Sequence, residues 1–368
     1  MEASTSTAAP DVVVVGGGVI GLAVAWSAAR RGMSVTLLER DRLGRGASHV
    51  AAGMLAPVSE AEAGEPAVLH AGLASAARWP SFAAEVEAAS GTSCGYRRCG
   101  TLVVARDADE AEALEREHAL RAELGVPVQR VLGSAARRLE PGLAPGVRVA
   151  LDAPDDHAVD PRAFVAALAA ACTAAGVDLR TGVEVVGHAA GAVTLAGGET
   201  VGAGSVVLAT GAWAGAPVRP VKGQILRLRD PDGPGLADRV VRFEHGYLVP
   251  RGDGRYVLGA TMEEQGFDTT VTAGGVRELL HEARLIVPGI DELVLEETAA
   301  GLRPGTPDNG PLLGKDDDGV VWAAGHYRNG ILLAPLTADA IGGLLAGEPL
   351  EGPAADFAPQ RFTTAGAR

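Results

Sequence analysis

Cysteine is nearly absent from this 368-residue chain, occurring three times, at 94, 99 and 172. Three thiols cannot staple a chain of this length, and none stands at a metal-ligand spacing. The expectation is no metal, no disulfide framework and a reducing, cytoplasmic setting. Long apolar runs are missing as well. The best stretch, 163–177, is broken by Thr173 and bounded by Arg162 and Asp178. It falls short of the roughly 18–20 residues that a membrane span requires and reads as a soluble helix. Positive charge is in deficit: 32 Lys and Arg stand against 46 Asp and Glu, a net charge of -14. That excludes a surface tracking nucleic-acid phosphates or an anionic membrane, while permitting a local arginine site for a small anion. The opening residues 1–10 have neither the basic start nor the apolar centre of a signal peptide, and read as a frayed tail.

What is present is a globular composition, with 47% hydrophobic and 21% charged residues. The length predicts two domains. Residues 12–15 are four valines, which suit a fully buried parallel strand. A glycine-rich turn follows, then a helix to Arg31 with Gly32 as its stop, and a second strand at 35–38 ending in Glu39. This is a βαβ unit. A further helix is predicted over 161–175, with Asp160 as N-cap and Pro161 in its first turn. Short strands are predicted at 177–179, 183–186 and 206–209. From Lys222 onward the pattern changes to longer alternating strands at 224–229, 247–250 and 256–259, with turns at Gly233 and Gly254. A helix at 275–286, a buried strand at 320–324 and a helix at 334–346 complete the reading, and no repeat of 20–50 residues is visible. Parallel-type elements near the start, middle and end imply two interleaved domains.

Gly16, Gly18 and Gly21 form a G-x-G-x-x-G motif between strand and helix, with Glu39 at the spacing of a ribose-binding acid. Gly16 permits the tight turn, Gly18 lets a pyrophosphate approach the backbone, and Gly21 allows close packing. Val19 and Ile20 open the helix, whose free N–H groups favour an anion. Glu39 would accept from ribose hydroxyls and repel a 2′-phosphate. NAD and FAD share this fingerprint, and its single occurrence predicts one bound dinucleotide. Arg40, Ser48, His49, Ala52, Gly53 and Met54 lie in or just beyond a glycine- and serine-rich loop resembling the one that wraps FAD in flavoproteins. Thr210, Gly211 and Trp213 resemble their second FAD-contacting turn, and Val183 is placed on the same side. FAD is therefore favoured.

The closing segments make the resemblance specific. Residues 301–308 (GLRPGTPD) and 325–335 (GHYRNGILLAP), with 53–55, 221–223, 245–251 and 259–262, resemble the D-amino-acid oxidase superfamily, and within it the glycine oxidases of thiamine synthesis. The similarity covers about residues 11–350 in consistent order. It implies an α/β plus α+β architecture, a Rossmann-like FAD-binding domain interleaved with an antiparallel-sheet substrate domain. The expected division is 11–80, 152–220 and 301–350 for FAD, 81–151 and 221–300 for substrate, with flexible tails at 1–10 and 351–368.

The same resemblance implies Arg303 as the group that grips the substrate carboxylate, the alternative being a salt bridge or loop anchor. Tyr247 would hold the same carboxylate or be a packed aromatic. Arg328 would orient substrate or brace its loop. Met54 and Met262 would wall a small cavity, and His245 and His326 would tune electrostatics or serve as structural histidines. His326, Tyr327, Arg328, Asn329, Gly330, Ile331 and Leu332 are expected at the flavin. That loop and the N-terminus of the helix after it would aim N–H groups at the flavin's pyrimidine edge. Some relatives tie flavin to a late cysteine; none follows residue 172 here, so the FAD is expected to be non-covalent.

The activity implied is oxidation of glycine, or of sarcosine or D-alanine, by O2 to the 2-oxo acid, ammonia or amine, and hydrogen peroxide. The resemblance also implies supply of dehydroglycine to a thiazole-synthesis enzyme, and a homo-oligomer, with a tetramer as the expected form. A dehydrogenase of the same superfamily, a flavin-binding subunit that needs a partner, and an NAD enzyme are the competing readings.

Overall fold

The computed structural model describes residues 9–126 and 128–362. Val12–Val15 is the centre of a six-stranded sheet in the order Leu312–Lys315, Val321–Ala324, Ser205–Leu208, Val12–Val15, Val35–Glu39, Asp178–Thr181. All pairings are parallel except that of Leu312–Lys315 with Val321–Ala324. The four valines are buried on both faces because alternate side chains serve different cores. Val12 and Val14 pack with the helices Val19–Arg30, Pro66–Ser90, Pro161–Ala174 and Ala334–Leu345. Val13 and Val15 pack under a small antiparallel sheet built from Val185–Ala189, Ala192–Leu195 and Thr200–Gly202.

The second sheet has eight strands, in the order Val294–Gly305, Arg219–Arg229, Arg255–Gly259, Gly246–Pro250, Val240–Phe243, Thr101–Ala105, Val149–Ala153, Gln129–Leu132. It is antiparallel apart from the pairing of Val240–Phe243 with Thr101–Ala105. Leu279, Ala283 and Ile286 of the Ala273–Ile286 helix cover one face, against Leu226, Leu228, Leu248 and Leu258. The other face turns Ile225, Tyr247, Val249 and Val257 toward Ala52 and Met54. The two sheets therefore meet across the segment that follows the first βαβ unit.

The anticipated elements appear with small shifts. Asp160 caps the Pro161–Ala174 helix, accepting from Arg162 N at 3.0 Å and Ala163 N at 3.5 Å, a contact worth about 1 kcal/mol in such positions. The strand expected at 183–186 runs instead over Val185–Ala189. The expected boundary at residue 81 falls inside the Pro66–Ser90 helix, whose Trp79, Phe82 and Val86 all belong to the core of the first sheet. The boundary at 301 falls inside the Val294–Gly305 strand, which pairs along its length with Arg219–Arg229. A flexible tail from 351 does not hold through 362. Phe357 is buried in the first core, and Arg361 ion-pairs with Asp308 at 2.8 Å. Residues 1–8 and 363–368 of the expected tails lie outside the described residues. Among the described residues no helix is long and apolar enough to cross a membrane.

Candidate active site

A cavity of about 1000 Å³ lies between the two sheets. On the first sheet's side it is lined by Gly16, Gly18, Val19, Ile20, Glu39, Arg40, Val183, Thr210, Gly211 and Trp213, all anticipated from sequence. Gly16 has φ +109°, and a Cβ there would stand 2.4 Å from the Ala209 carbonyl oxygen. Gly21 lies outside the lining and acts through packing, since its Cβ would be 1.8 Å from the Gly16 oxygen. Gly18 differs: a Cβ would meet nothing nearer than Ser48 Oγ at 3.4 Å, so the backbone is bare toward the cavity. Val19 N donates to Ser48 Oγ at 3.0 Å at the start of the helix. Glu39 accepts from Gly17 N at 2.7 Å and Asp41 N at 2.9 Å, which fixes its carboxylate at the end of its strand. A bare glycine backbone at a helix N-terminus, beside a fixed carboxylate with lone pairs to spare, fits the pyrophosphate and ribose of a dinucleotide. The Arg40 guanidinium lies 4.0 Å from the Trp213 ring centre, and Trp213 stacks on Phe267 at 5.6 Å.

Ala52, Gly53 and Met54 form the middle of the wall. Gly53 has φ +82°, and its Cβ would collide with the Val159 oxygen at 2.1 Å. Behind this wall stands Arg251, a residue whose role the sequence did not disclose although it closes the quoted 245–251 segment. Its guanidinium donates to the Ala52 oxygen at 2.8 Å and the Val159 oxygen at 3.1 Å, tying the two backbones together. Burial pushes its pKa down to about 10, so it stays charged at neutral pH.

On the second sheet's side Arg303, Tyr247, Met262, His245, Tyr327 and Arg328 line the same cavity. Arg303 projects from Val294–Gly305 across the neighbouring strand, where it lies over Gly223. Its Nη1 donates to the Lys222 oxygen at 3.3 Å and the Thr261 oxygen at 3.2 Å. Among the described residues no carboxylate is paired with it. The alternative of an internal salt bridge is thereby removed, and the guanidinium keeps donors for an incoming anion. Tyr247 is packed over Gly259, whose Cβ would stand 2.8 Å from the phenol oxygen. Burial raises its pKa and the adjacent Arg303 opposes that shift, so the hydroxyl remains protonated and can donate. Met262 receives the Tyr327 hydroxyl on its sulfur at 3.6 Å.

Other anticipated residues take supporting places. Arg328 lines the cavity, but its Nη1 donates to Glu62 at 2.5 Å and its Nη2 to the Glu60 oxygen at 3.3 Å. Those bonds brace the loop. His326 is buried against Thr337, with Nε2 2.9 Å from the hydroxyl, and burial pushes its pKa down to about 3. It is therefore neutral, and it also lines the cavity. His245 is half exposed beside Glu244, 3.6 Å away. Gly330 and Ile331 reach the cavity, whereas His49, Asn329 and Leu332 do not. The His49 carbonyl accepts from Arg162 and Arg227, Asn329 N donates to the His326 carbonyl while its own carbonyl accepts from Leu333 N, and the Leu332 carbonyl accepts from Ser75 and Trp79. The N-terminus of the Ala334–Leu345 helix is turned away as well, its Leu336 N donating to Ser75 Oγ at 3.3 Å. Arg45, Glu60, Gly223, Gln224, Arg242 and Thr261 line the cavity without having been anticipated as site residues. Gly223 was in view within the quoted 221–223 motif, but its meaning depends on a strand partner eighty residues away.

Comparison with known proteins agrees with this geometry. The DAO family of FAD dependent oxidoreductases matches residues 11–344. Glycine oxidase of Geobacillus kaustophilus is 38% identical over 370 residues, covering 96% of each protein. The bifunctional protein ThiO/ThiG of Synechocystis is also 38% identical, over 96% of this chain and 54% of its own length, so the chain spans about half of that relative. The crystal structure of the Geobacillus kaustophilus glycine oxidase superposes with a TM-score of 0.89 at 36% identity, covering 95% of this chain and 98% of that one. The anticipated Rossmann-like and antiparallel architecture is that of this structure, and the chain belongs to the DAO family of FAD-dependent oxidoreductases.

Proposed function

We propose that this enzyme oxidises glycine, and to a lesser extent other small amines such as sarcosine or D-alanine, using O2. The observation that carries the reading is Arg303: a cavity-lining guanidinium with no carboxylate partner among the described residues, beside the Tyr247 hydroxyl and across the cavity from the dinucleotide-binding turn. Arg303 and Tyr247 bind the substrate carboxylate and so orient the α-carbon toward the wall at Ala52 and Met54. Met54, Met262 and Tyr327 fill the space above the α-carbon and favour a substrate with little or no side chain. The amine must arrive neutral at the reacting carbon, and no strong side-chain base is then required; His326 is already bonded to Thr337 and buried. When bound, FAD would supply the two-electron oxidation of the amine, with O2 as the final acceptor; the overall products would be hydrogen peroxide and an imine, which water hydrolyses to glyoxylate and ammonia.

The six-stranded sheet and its helices would hold the cofactor, and the eight-stranded sheet the substrate. The absence of cysteine beyond residue 172 supports non-covalent FAD. The bifunctional ThiO/ThiG relative supports a further proposal, that the imine feeds a thiazole-forming enzyme of thiamine synthesis. A cytoplasmic homo-oligomer, with a tetramer as the form to test by size-exclusion chromatography with light scattering, belongs to the same proposal. The deciding experiment is peroxide release under air from FAD-loaded protein with glycine, sarcosine, D-alanine and a bulky D-amino acid. Turnover greatest with glycine supports the reading. Preference for the bulky substrate would overturn the small-cavity argument, and turnover only with an added quinone would overturn O2 as acceptor.

A further inference from the structure

Lysine is rare here: of the 32 basic residues two are lysines, at 222 and 315. Lys222 is 1% exposed and stands on the Arg219–Arg229 strand, one residue before the glycine that carries the Arg303 guanidinium. Its ammonium lies 2.9 Å from Asp268 and 3.4 Å from Glu263. Its backbone forms a reciprocal pair with Glu263, Lys222 N donating to the Glu263 oxygen at 2.9 Å and Glu263 N to the Lys222 oxygen at 3.0 Å. Gln224, on the same strand face, donates to the Glu263 carboxylate at 2.7 Å and accepts from Thr272 N at 2.9 Å. Thr261 Oγ1 accepts from Gln224 N at 2.9 Å and donates to Glu263 at 2.6 Å. The segment 261–272 is thus stapled at four places to one strand.

This segment makes the substrate side of the cavity. Thr261 supplies one of the two carbonyls that hold Arg303, and Lys222 supplies the other. Met262 is cavity wall, and Phe267 reaches across to Trp213 on the opposite side. Resting on the reading of Arg303 as the carboxylate grip, we propose that Lys222 is a positioning residue. By clamping Glu263 and Asp268 it fixes the two carbonyls that aim Arg303 and the wall that limits substrate size. A compact ammonium suits the place, because a planar guanidinium at 222 would need a wider arrangement of acceptors than two carboxylates on one short loop present. Removing the clamp leaves both site residues in the chain but lets the segment that holds Arg303 drift. The effect belongs in substrate affinity more than in the rate of the bound complex.

The test uses the FAD-loaded enzyme and two variants, Lys222→Met and Asp268→Asn. Two readouts are taken: the KM and kcat for glycine, and the Kd of acetate as a carboxylate probe, read from perturbation of the flavin absorption band. The expected result for Lys222→Met is a rise of about tenfold in both KM and acetate Kd, with kcat within about threefold of wild type and FAD content unchanged. Asp268→Asn should shift the same quantities in the same direction by a smaller factor. It alters a residue at the surface end of the clamp, so it decides the matter even where Lys222→Met fails to fold. Acetate Kd and KM within twofold of wild type would overturn the inference. An Arg303→Ala control separates the two levels. Unchanged acetate affinity in that control overturns the functional reading and this inference with it. Weakened affinity there, alongside unaltered clamp variants, overturns the inference alone.

Discussion

Gly223 lies directly under the guanidinium of Arg303: a Cβ at position 223 would stand 2.4 Å from Nη1 and 2.6 Å from Nη2. The two residues sit on paired strands, where Gly223 faces Gly301 and Val221 faces Arg303 in register. The arginine can cross its neighbour only because that neighbour has no side chain. Gly223→Ala should therefore displace Arg303 without touching the cofactor turn. Overpacking of this kind is worth about 1–3 kcal/mol, or about fivefold to 150-fold in KM for glycine. Steady-state kinetics with a parallel measurement of FAD content checks it; normal KM would show that Arg303 acts from another position.

Glu39 is held by two backbone donors, Gly17 N and Asp41 N, at the lip of the cofactor side. Glu39→Ala should free the glycine turn and remove the ribose acceptor, weakening FAD affinity about tenfold or more while leaving the KM of the loaded enzyme nearly unchanged. Fluorescence titration of the apoprotein with FAD measures this, and wild-type affinity would remove Glu39 from the cofactor site.

How much of this was legible beforehand follows from where the information lies. The valines at 12–15, the three glycines and Glu39 sit within thirty residues, and each does a local task, so the cofactor half could be read directly. Asp160 with Pro161 announced a helix start for the same reason. Arg303 was reached through resemblance alone. The segment 294–305 carries little strand alternation of its own, and becomes a strand because it pairs with 219–229. Arg328 was placed at the flavin by its loop, but its guanidinium turns to Glu62 and Glu65, acidic partners more than 260 residues earlier. Arg251 gave no signal beyond its motif, since its partners are backbone carbonyls at 52 and 159.

Arg251→Met should destabilise the fold more than the chemistry. It leaves the Ala52 and Val159 carbonyls without their charged donor, and each such bond is typically worth about 1.5–3 kcal/mol. A loss of about 3 kcal/mol or more in urea unfolding is expected. A loss under 1 kcal/mol would mean that the wall at Gly53 holds itself.

His326 gives a pH dependence of defined sign. Burial depresses its folded pKa to about 3, so below the ordinary imidazole range the unfolded chain binds a proton that the folded chain refuses. Its contribution is therefore present above about pH 6.5 and is lost as pH falls toward 3, amounting to about 2 kcal/mol between pH 7 and pH 5. His326→Gln, which keeps a hydrogen-bonding group toward Thr337, should show a correspondingly shallower loss. Parallel urea melts at the two pH values test this, and identical losses in both proteins would refute it.

The central claim is that Arg303 binds the carboxylate of a small amino acid next to FAD, and the KM for glycine of FAD-loaded Arg303→Ala, followed by peroxide release under air, tests it most directly. Loss of two charge-assisted bonds predicts a KM raised by about a hundredfold or more, or no saturable turnover, with the flavin spectrum retained. A KM equal to that of the wild-type enzyme, at equal FAD content, would contradict the account.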